Sequence, residues 1–322
     1  MTDKRYAVIG TGAVGGFYGA KLKRAGLDVH YLLRSDYPWV KTHGLKVLSP
    51  QGDFSLPNVS AYASTQDMPL CDVVVVALKT TQNNRLPELL RPILKPDSTL
   101  VILQNGLGNE AAIAHSLATV IDVSHLTIVG GLCFLCSNKL EPGVIQHLDY
   151  GVIKMGLHQT TAHSEATSQR FTDLVQAFRA AEIEIETYAN LPLERWKKLL
   201  WNIPFNGLSV VLDARTNELM ECPGTLSLVK DLMREVTELA AKTGCRIDPS
   251  FPNHLLELTQ QMFPYHTSMK LDADAGREME VEAMFGNPIR AARQHQLECP
   301  QMEMLYHQLQ FLNGRIKQGH AT

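Results

Sequence analysis

Tyr6-Ala7-Val8-Ile9-Gly10-Thr11-Gly12-Ala13-Val14-Gly15-Gly16 is a short apolar run that breaks into a glycine-rich turn. The spacing is G-x-G-x-x-G. Gly10 permits the tight turn, Gly12 lets the backbone approach a pyrophosphate, and Gly15 lets the next helix pack close to the strand. Phosphates bind the free N–H groups at such a helix N-terminus. The surroundings fit this reading. Residues 17–25 have helical character, Gly26 suits a C-cap, and 28–33 form a second apolar run. The pattern predicts a βαβ dinucleotide-binding unit whose turn, Gly10, Thr11, Gly12, Ala13, Val14 and Gly15, contacts the cofactor. Arg34 follows the second run. A carboxylate there grips the ribose 2′-hydroxyl of NAD, whereas an arginine suits the 2′-phosphate of NADP.

The first half continues as alternating strands and helices, as a parallel sheet requires. Runs 45–48 and 54–56 flank a turn at Pro50-Gln51-Gly52 and predict a small hairpin. The unbroken apolar run 71–78 predicts a strand buried on both faces. Further expectations are a helix at 85–94, a strand at 99–103, a helix at 110–117, strands at 127–134, 143–147 and 152–156, a helix at 164–181 and a strand at 182–187. Beyond Ala189-Asn190-Leu191-Pro192 the pattern turns helical, at 193–206, 226–243, 252–262, 274–295 and 301–318. The expected fold is an α/β Rossmann-type domain, 1–190, followed by an all-α domain, 191–322. Ligands of open α/β sheets bind beyond the carboxyl ends of the strands. Arg34, Lys79 and Asn105 each follow a strand and are expected in one crevice, although Asn105 also reads as a turn residue before Gly106.

The chain has 322 residues, 45% of them hydrophobic and 20% charged, and a net charge of −3. These values fit two cored domains and give no sign of nucleic-acid or membrane binding. Neither a signal segment nor a long apolar span is apparent, so a cytoplasmic location is expected. Six cysteines are dispersed, and Cys133-Phe134-Leu135-Cys136 lacks a second C-x-x-C. Reduced thiols are expected there rather than zinc or a redox pair. No metal-ligand spacing appears among the histidines.

In the helical half, Lys198, Asn202 and Asn206 recur every four residues within 193–206, which places them on one helical face. Two amides and an ammonium on an otherwise apolar helix are costly to bury unless they meet a polar ligand. Pro204 should remove the bond to Leu200, kink the helix and rotate Asn206 away from the other two.

Together these segments resemble the ketopantoate reductase family over nearly the whole chain. The matching stretches are the Gly10–Gly15 turn, Arg34, Ala77-Leu78-Lys79, Gln104-Asn105-Gly106-Leu107-Gly108, Trp196-Lys197-Lys198-Leu199 with Asn202 and Asn206, Thr267-Ser268-Met269, and Arg277-Glu278-Met279-Glu280-Val281-Glu282. The resemblance implies NADPH-dependent reduction of 2-dehydropantoate to pantoate. Lys198 would be the general acid and Glu280 an acidic partner beside it and the cofactor. Asn202, Asn206 and Ser268 would bind substrate, Asn105 both ligands, Arg34 the 2′-phosphate, and Lys79 would line the cofactor crevice. The residue types suit the chemistry, because reducing a ketone puts negative charge on oxygen and calls for a proton donor within reach.

On the residues alone, 278–282 also reads as a solvated helix face and Ser268 as a helix cap. Two departures fall on the substrate side. Asn206 precedes Gly207 where the family often has Asn-Pro, and a further asparagine would fall at Thr216 or Asn217 in a segment lacking the family's glycine. A reductase of another bulky 2-keto acid therefore stays open at this point, as does a non-catalytic NADP-binding sensor. A homodimer through the helical half is a further expectation.

Overall fold

The computed structural model describes residues 4–158, 164–262 and 264–319. The chain divides into two compact units, one of Met1–Gln104 and Asn109–Leu191, the other of Asn105–Gly108 and Pro192–Thr322. Four residues of the first half thus group with the helical unit.

The first unit is built on one sheet. Its strands are β1 (Arg5–Ile9), β2 (Asp28–Leu32), β3 (Leu45–Leu48), β4 (Phe54–Leu56), β5 (Ser60–Tyr62), β6 (Cys71–Val76), β7 (Leu94–Ile102), β8 (Thr127–Glu141), β9 (Val144–Leu157) and β10 (Ile185–Thr187). They lie in the order β4-β3-β9-β8-β7-β6-β1-β2-β5, with β10 beside β9. Strands β5, β2, β1, β6, β7 and β8 run parallel. The chain leaves β1 towards β2 and later returns to β6 on its other side, so the strand order reverses at β1, where doubly wound sheets place their ligand. Strand periodicity accounts for the two faces. Val8, Val73, Val75 and Val101 pack into one core, while Ala7, Ile9, Val74, Val76 and Ile102 pack into another. Each buried Val or Ile contributes roughly 1.5–3 kcal/mol.

Helices α1 (Ala13–Arg24), α2 (Tyr37–His43), α3 (Leu86–Leu90), α4 (Asn109–Ala118) and α5 (Glu165–Ala180) complete this unit. The expected hairpin at 45–56 forms as antiparallel β3 and β4. Three details differ from expectation. The short edge strand β5 has too few residues to show a period. Residues 127–157 form one long antiparallel hairpin rather than three strands, its ladder surviving several register shifts. The helix expected at 85–94 is shortened to α3, because Thr80–Arg85 form a 3₁₀ turn and Leu94 already begins β7.

The second unit holds α6 (Leu191–Val211, whose first residue falls in the first unit), α7 (Thr216–Glu221), α8 (Pro223–Lys242), α9 (Phe251–Gln261), α10 (Ser268–Asp274), α11 (Asn287–Gln294) and α12 (Pro300–Lys317). Its core includes Trp196, Leu199, Leu200, Ile203 and Phe205 from α6. A buried carboxylate, Glu235 on α8, accepts from the N–H groups of Gln301 and Met302 at 2.9 and 2.8 Å and so closes the first turn of α12. The single helix expected at 274–295 is corrected. Helix α10 stops at Asp274, and Gly276 adopts a left-handed φ of +61°. Five residues, Glu282–Gly286, form a π-helical turn before α11 begins. Among the described residues no helix is long and apolar enough to cross a membrane.

Candidate active site

In the first unit, β1 and α1 meet at the glycine turn. Gly10 has φ +103°, and a Cβ there would lie 2.4 Å from the backbone nitrogen of Leu78. A Cβ on Gly15 would lie 2.2 Å from the Gly10 carbonyl oxygen. These glycines press the turn against β6 and the helix against the turn. Gly12 is different, since nothing lies within 4 Å of its Cβ position. The first intrahelical bond runs from Gly16 N to Gly12 O at 2.8 Å, so the N–H groups before it point out of the helix end. No side chain caps this end and no acidic residue occupies the first turn. An open face with free donors fits a pyrophosphate. The Thr11 hydroxyl donates to Leu32 O at 3.0 Å, fastening the turn to β2. Thr11 thus shapes the cradle with its side chain, leaving its backbone for any ligand.

Arg34 lies just past β2 with an exposed side chain that no described ion pair engages. The acid two residues on, Asp36, is buried and committed elsewhere. Lys139 Nζ meets both of its carboxylate oxygens at 2.9 Å. The charge offered at the end of β2 is therefore the guanidinium. Lys79 follows β6 and is half-buried. Gln104, which the sequence reading missed, is buried at the end of β7. Its Nε2 donates to Leu78 O at 2.8 Å and to Asn83 Oδ1 at 2.7 Å, joining the loops after β6 and β7.

In the helical unit, α6 runs through Pro204 without a break. Asn206 Nδ2 donates to Asn202 Oδ1 at 3.3 Å, so the expected rotation of Asn206 away from the stripe is corrected. Proline removes one N–H, and tertiary packing of this buried helix keeps its course. Asn206 is only 2% exposed, and its Oδ1 accepts from Met269 N at 3.1 Å and from Ser268 Oγ at 3.3 Å. The amide therefore ties α6 to the first turn of α10. Ser268 is the exposed first residue of α10, and Thr267 is the cap, accepting from Lys270 N at 3.4 Å. With its Oδ1 taken by Asn206, Asn202 keeps an Nδ2 with no partner among the described residues. Lys198 lies one turn earlier on α6 and is half-buried.

Glu280 is corrected from a solvated helix face to a buried, non-helical position just before the π turn. Its segment is anchored by Asn313 on α12, whose Oδ1 accepts from Met279 N at 2.9 Å. Asn105 belongs to this same unit. Leu107, two residues on, donates its N–H to Ala283 O at 2.9 Å, three residues past Glu280. Thr216 is buried with its N–H 3.4 Å from Tyr265 O, and Asn217 donates to Glu221 along α7 at 3.2 Å. Cys133 and Cys136 are free and lie on β8. Three strand residues span about 10 Å, beyond the reach of a disulfide.

The description "Ketopantoate reductase PanE/ApbA" matches residues 6–160, and its C-terminal counterpart matches residues 190–313. A 2-dehydropantoate 2-reductase of Nostoc sp. is 52% identical over 322 residues, covering 100% of this chain and 99% of that protein. A crystal structure of 2-dehydropantoate 2-reductase from Geobacter metallireducens superposes with a TM-score of 0.88 at 39% identity, covering 95% of this chain and 99% of that one. The ternary structure of D-mandelate dehydrogenase with NADH and anilino(oxo)acetate shares the fold, with a TM-score of 0.85 at 18% identity and coverage of 97% and 99%.

Proposed function

The chain belongs to the ketopantoate reductase family, and from that premise we propose that it reduces 2-dehydropantoate to pantoate with NADPH. The observation that carries this reading is the 52% identity to the Nostoc reductase across the full chain. The α6 stripe supports it by providing the chemistry such a reaction needs. When bound, NADPH supplies a hydride from its nicotinamide C4 to the keto carbon.

The chain's own residues have the remaining tasks. The glycine turn Gly10–Gly15 holds the pyrophosphate on free N–H groups, Arg34 takes the 2′-phosphate, and Lys79 lines the cofactor crevice. Lys198 Nζ donates a proton to the keto oxygen, which becomes the product hydroxyl, and the neutral amine is reprotonated from solvent. General acids of this kind contribute about 10²–10⁴-fold. Glu280 orients the Lys198 ammonium and favours its charged form. Asn202 turns its unspent Nδ2 towards the substrate, while Asn206 and Ser268 shape the carboxylate end. Asn105 touches substrate and cofactor.

NADPH consumption in the presence of 2-dehydropantoate tests the reading. Wild type should turn over, and Lys198→Ala should lose roughly two to four orders of magnitude in kcat while still binding NADPH. Normal turnover by that variant would exclude Lys198 as the proton donor. We place the enzyme in the cytoplasm, supported by its six free cysteines. We also propose a homodimer through the helical unit, supported by Met304 and Phe311 on α12, which are 52% and 68% exposed. Sedimentation as a monomer at micromolar concentration would exclude it.

A further inference from the structure

The π turn at Glu282–Gly286 creates an acceptor that the helix itself cannot use. In a helix, the Ala283 carbonyl would look to the N–H of residue 287 or 288. The Asn287 N–H is already bonded to Glu282 O, and residue 288 is proline, which has no N–H. Ala283 is 4% exposed, so an unfilled carbonyl would be costly there. The Leu107 N–H fills it at 2.9 Å. Two further contacts close the clasp. Asn287 Nδ2 donates to Leu107 O at 2.6 Å. Gly106 has φ +100°, and a Cβ on it would stand 2.5 Å from Ala283 O, so the loop lies flat on the π turn. The Asn287 amide is held from behind, because Arg290 Nη2 donates to its Oδ1 at 2.5 Å while Arg290 Nη1 pairs with Glu282 at 2.9 Å.

We infer that Asn287 is a positioning residue for Asn105. By gripping Leu107 against Ala283 it fixes the Asn105–Gly108 loop to the turn that follows Glu280, so that Asn105 and Glu280 keep one spacing. Asn287 touches neither ligand and acts through the loop. The inference rests on the reading of Asn105 as a site residue.

A double-mutant cycle tests it on the full-length enzyme, with kcat for 2-dehydropantoate and the melting temperature as readouts. Asn287→Asp removes the donor to Leu107 O and keeps the acceptor for Arg290. It should lower kcat by about 10- to 100-fold, the scale of a misplaced contact group, with little change in melting temperature. In the Asn105→Ala background the same change should cost nothing further, because the group it positions is gone. Gly106→Ala pushes on the clasp from the loop side; it should lower the melting temperature as well, but its loss of kcat should likewise vanish in the Asn105→Ala background. Multiplying losses in the double variant, or wild-type kcat for both Asn287→Asp and Gly106→Ala, would overturn the inference. Wild-type kcat for Asn105→Ala would instead overturn the site reading beneath it.

Discussion

Replacing Asn206 separates the two things its amide does. Asn206→Ala deletes the acceptor for Met269 N and Ser268 Oγ and the donor to Asn202. Met269 is 1% exposed, so its N–H would be left without a partner in the interior. An unsatisfied buried donor costs about 1–3 kcal/mol, and the small void adds to it. A loss of about 2–4 kcal/mol follows, which for a chain of 322 residues lowers the melting temperature by roughly 3–6 °C. Asn206→Asp is the sharper change. It keeps an oxygen for Met269 and Ser268 but faces Asn202 Oδ1 with a second acceptor. Asn202 can relieve the clash by rotating its amide, which spends its Nδ2 inside the helix and turns its oxygen outward. A substrate carboxylate would then meet an acceptor where it had met a donor. Loss of one hydrogen bond to a charged group, about 1.5–3 kcal/mol, raises KM for 2-dehydropantoate by about 10- to 100-fold. Calorimetry and steady-state kinetics on the two variants provide the test. A melting temperature for Asn206→Ala within a degree of wild type would refute the tie between α6 and α10. An unchanged KM in Asn206→Asp would refute the orientation of Asn202.

Other outcomes follow from charges at the edges of the first unit. Arg34→Ala should raise KM for NADPH by roughly tenfold or more and leave that for NADH nearly unchanged, a comparison made by initial rates; equal loss with both cofactors would count against the 2′-phosphate role. Asp72 contributes to the acid dependence. Burial alone would raise its carboxyl, but Lys95 Nζ at 2.6 Å and Arg5 N at 2.9 Å outweigh it and hold the pKa below the ordinary value. A depressed carboxyl stabilises the fold above its unfolded pKa, near 4, and that contribution disappears as pH falls through the folded pKa. With the side chain 27% exposed, screening keeps it to about 1 kcal/mol or less. Asp72→Asn should therefore flatten the drop in urea midpoint between about pH 4 and pH 2, and an unaltered profile would assign the drop to other groups.

Much of the cofactor half was legible because local rules decide it. The glycine turn and the β1 and β6 runs depend on backbone freedom and on unbroken apolar stretches, which a few adjacent residues specify. The substrate half was legible as a helical stripe but not as a network. Nothing in residues 193–206 reveals that Asn206 spends its oxygen on α10, because that partner lies some sixty positions away. The same holds for Gln104 and Asp36, whose partners come from other loops and strands. Glu280 was misplaced for a local reason. Glu278-Met279-Glu280-Val281-Glu282 has helical composition, and Gly276 outweighs it by ending α10. The signal for the π turn was present as Pro288, but a proline near a helix start reads as a cap unless the strand loop it frees an acceptor for is also known.

The Asp36–Lys139 pair has a practical consequence for anyone wishing to convert this enzyme to NADH. The usual recipe exchanges the arginine for a carboxylate or relies on an acid already nearby. Here the neighbouring acid is pinned by a lysine 103 positions downstream. If Arg34 takes the 2′-phosphate as proposed, removing it alone would vacate that contact without releasing a replacement for the ribose. Freeing Asp36 would require breaking its bonds to Lys139 on the β8–β9 hairpin, and the Gly143 N–H that also reaches its carboxylate would lose its acceptor. On that proposal, coenzyme choice is bolted to the architecture by a residue that no inspection of the binding loop would include.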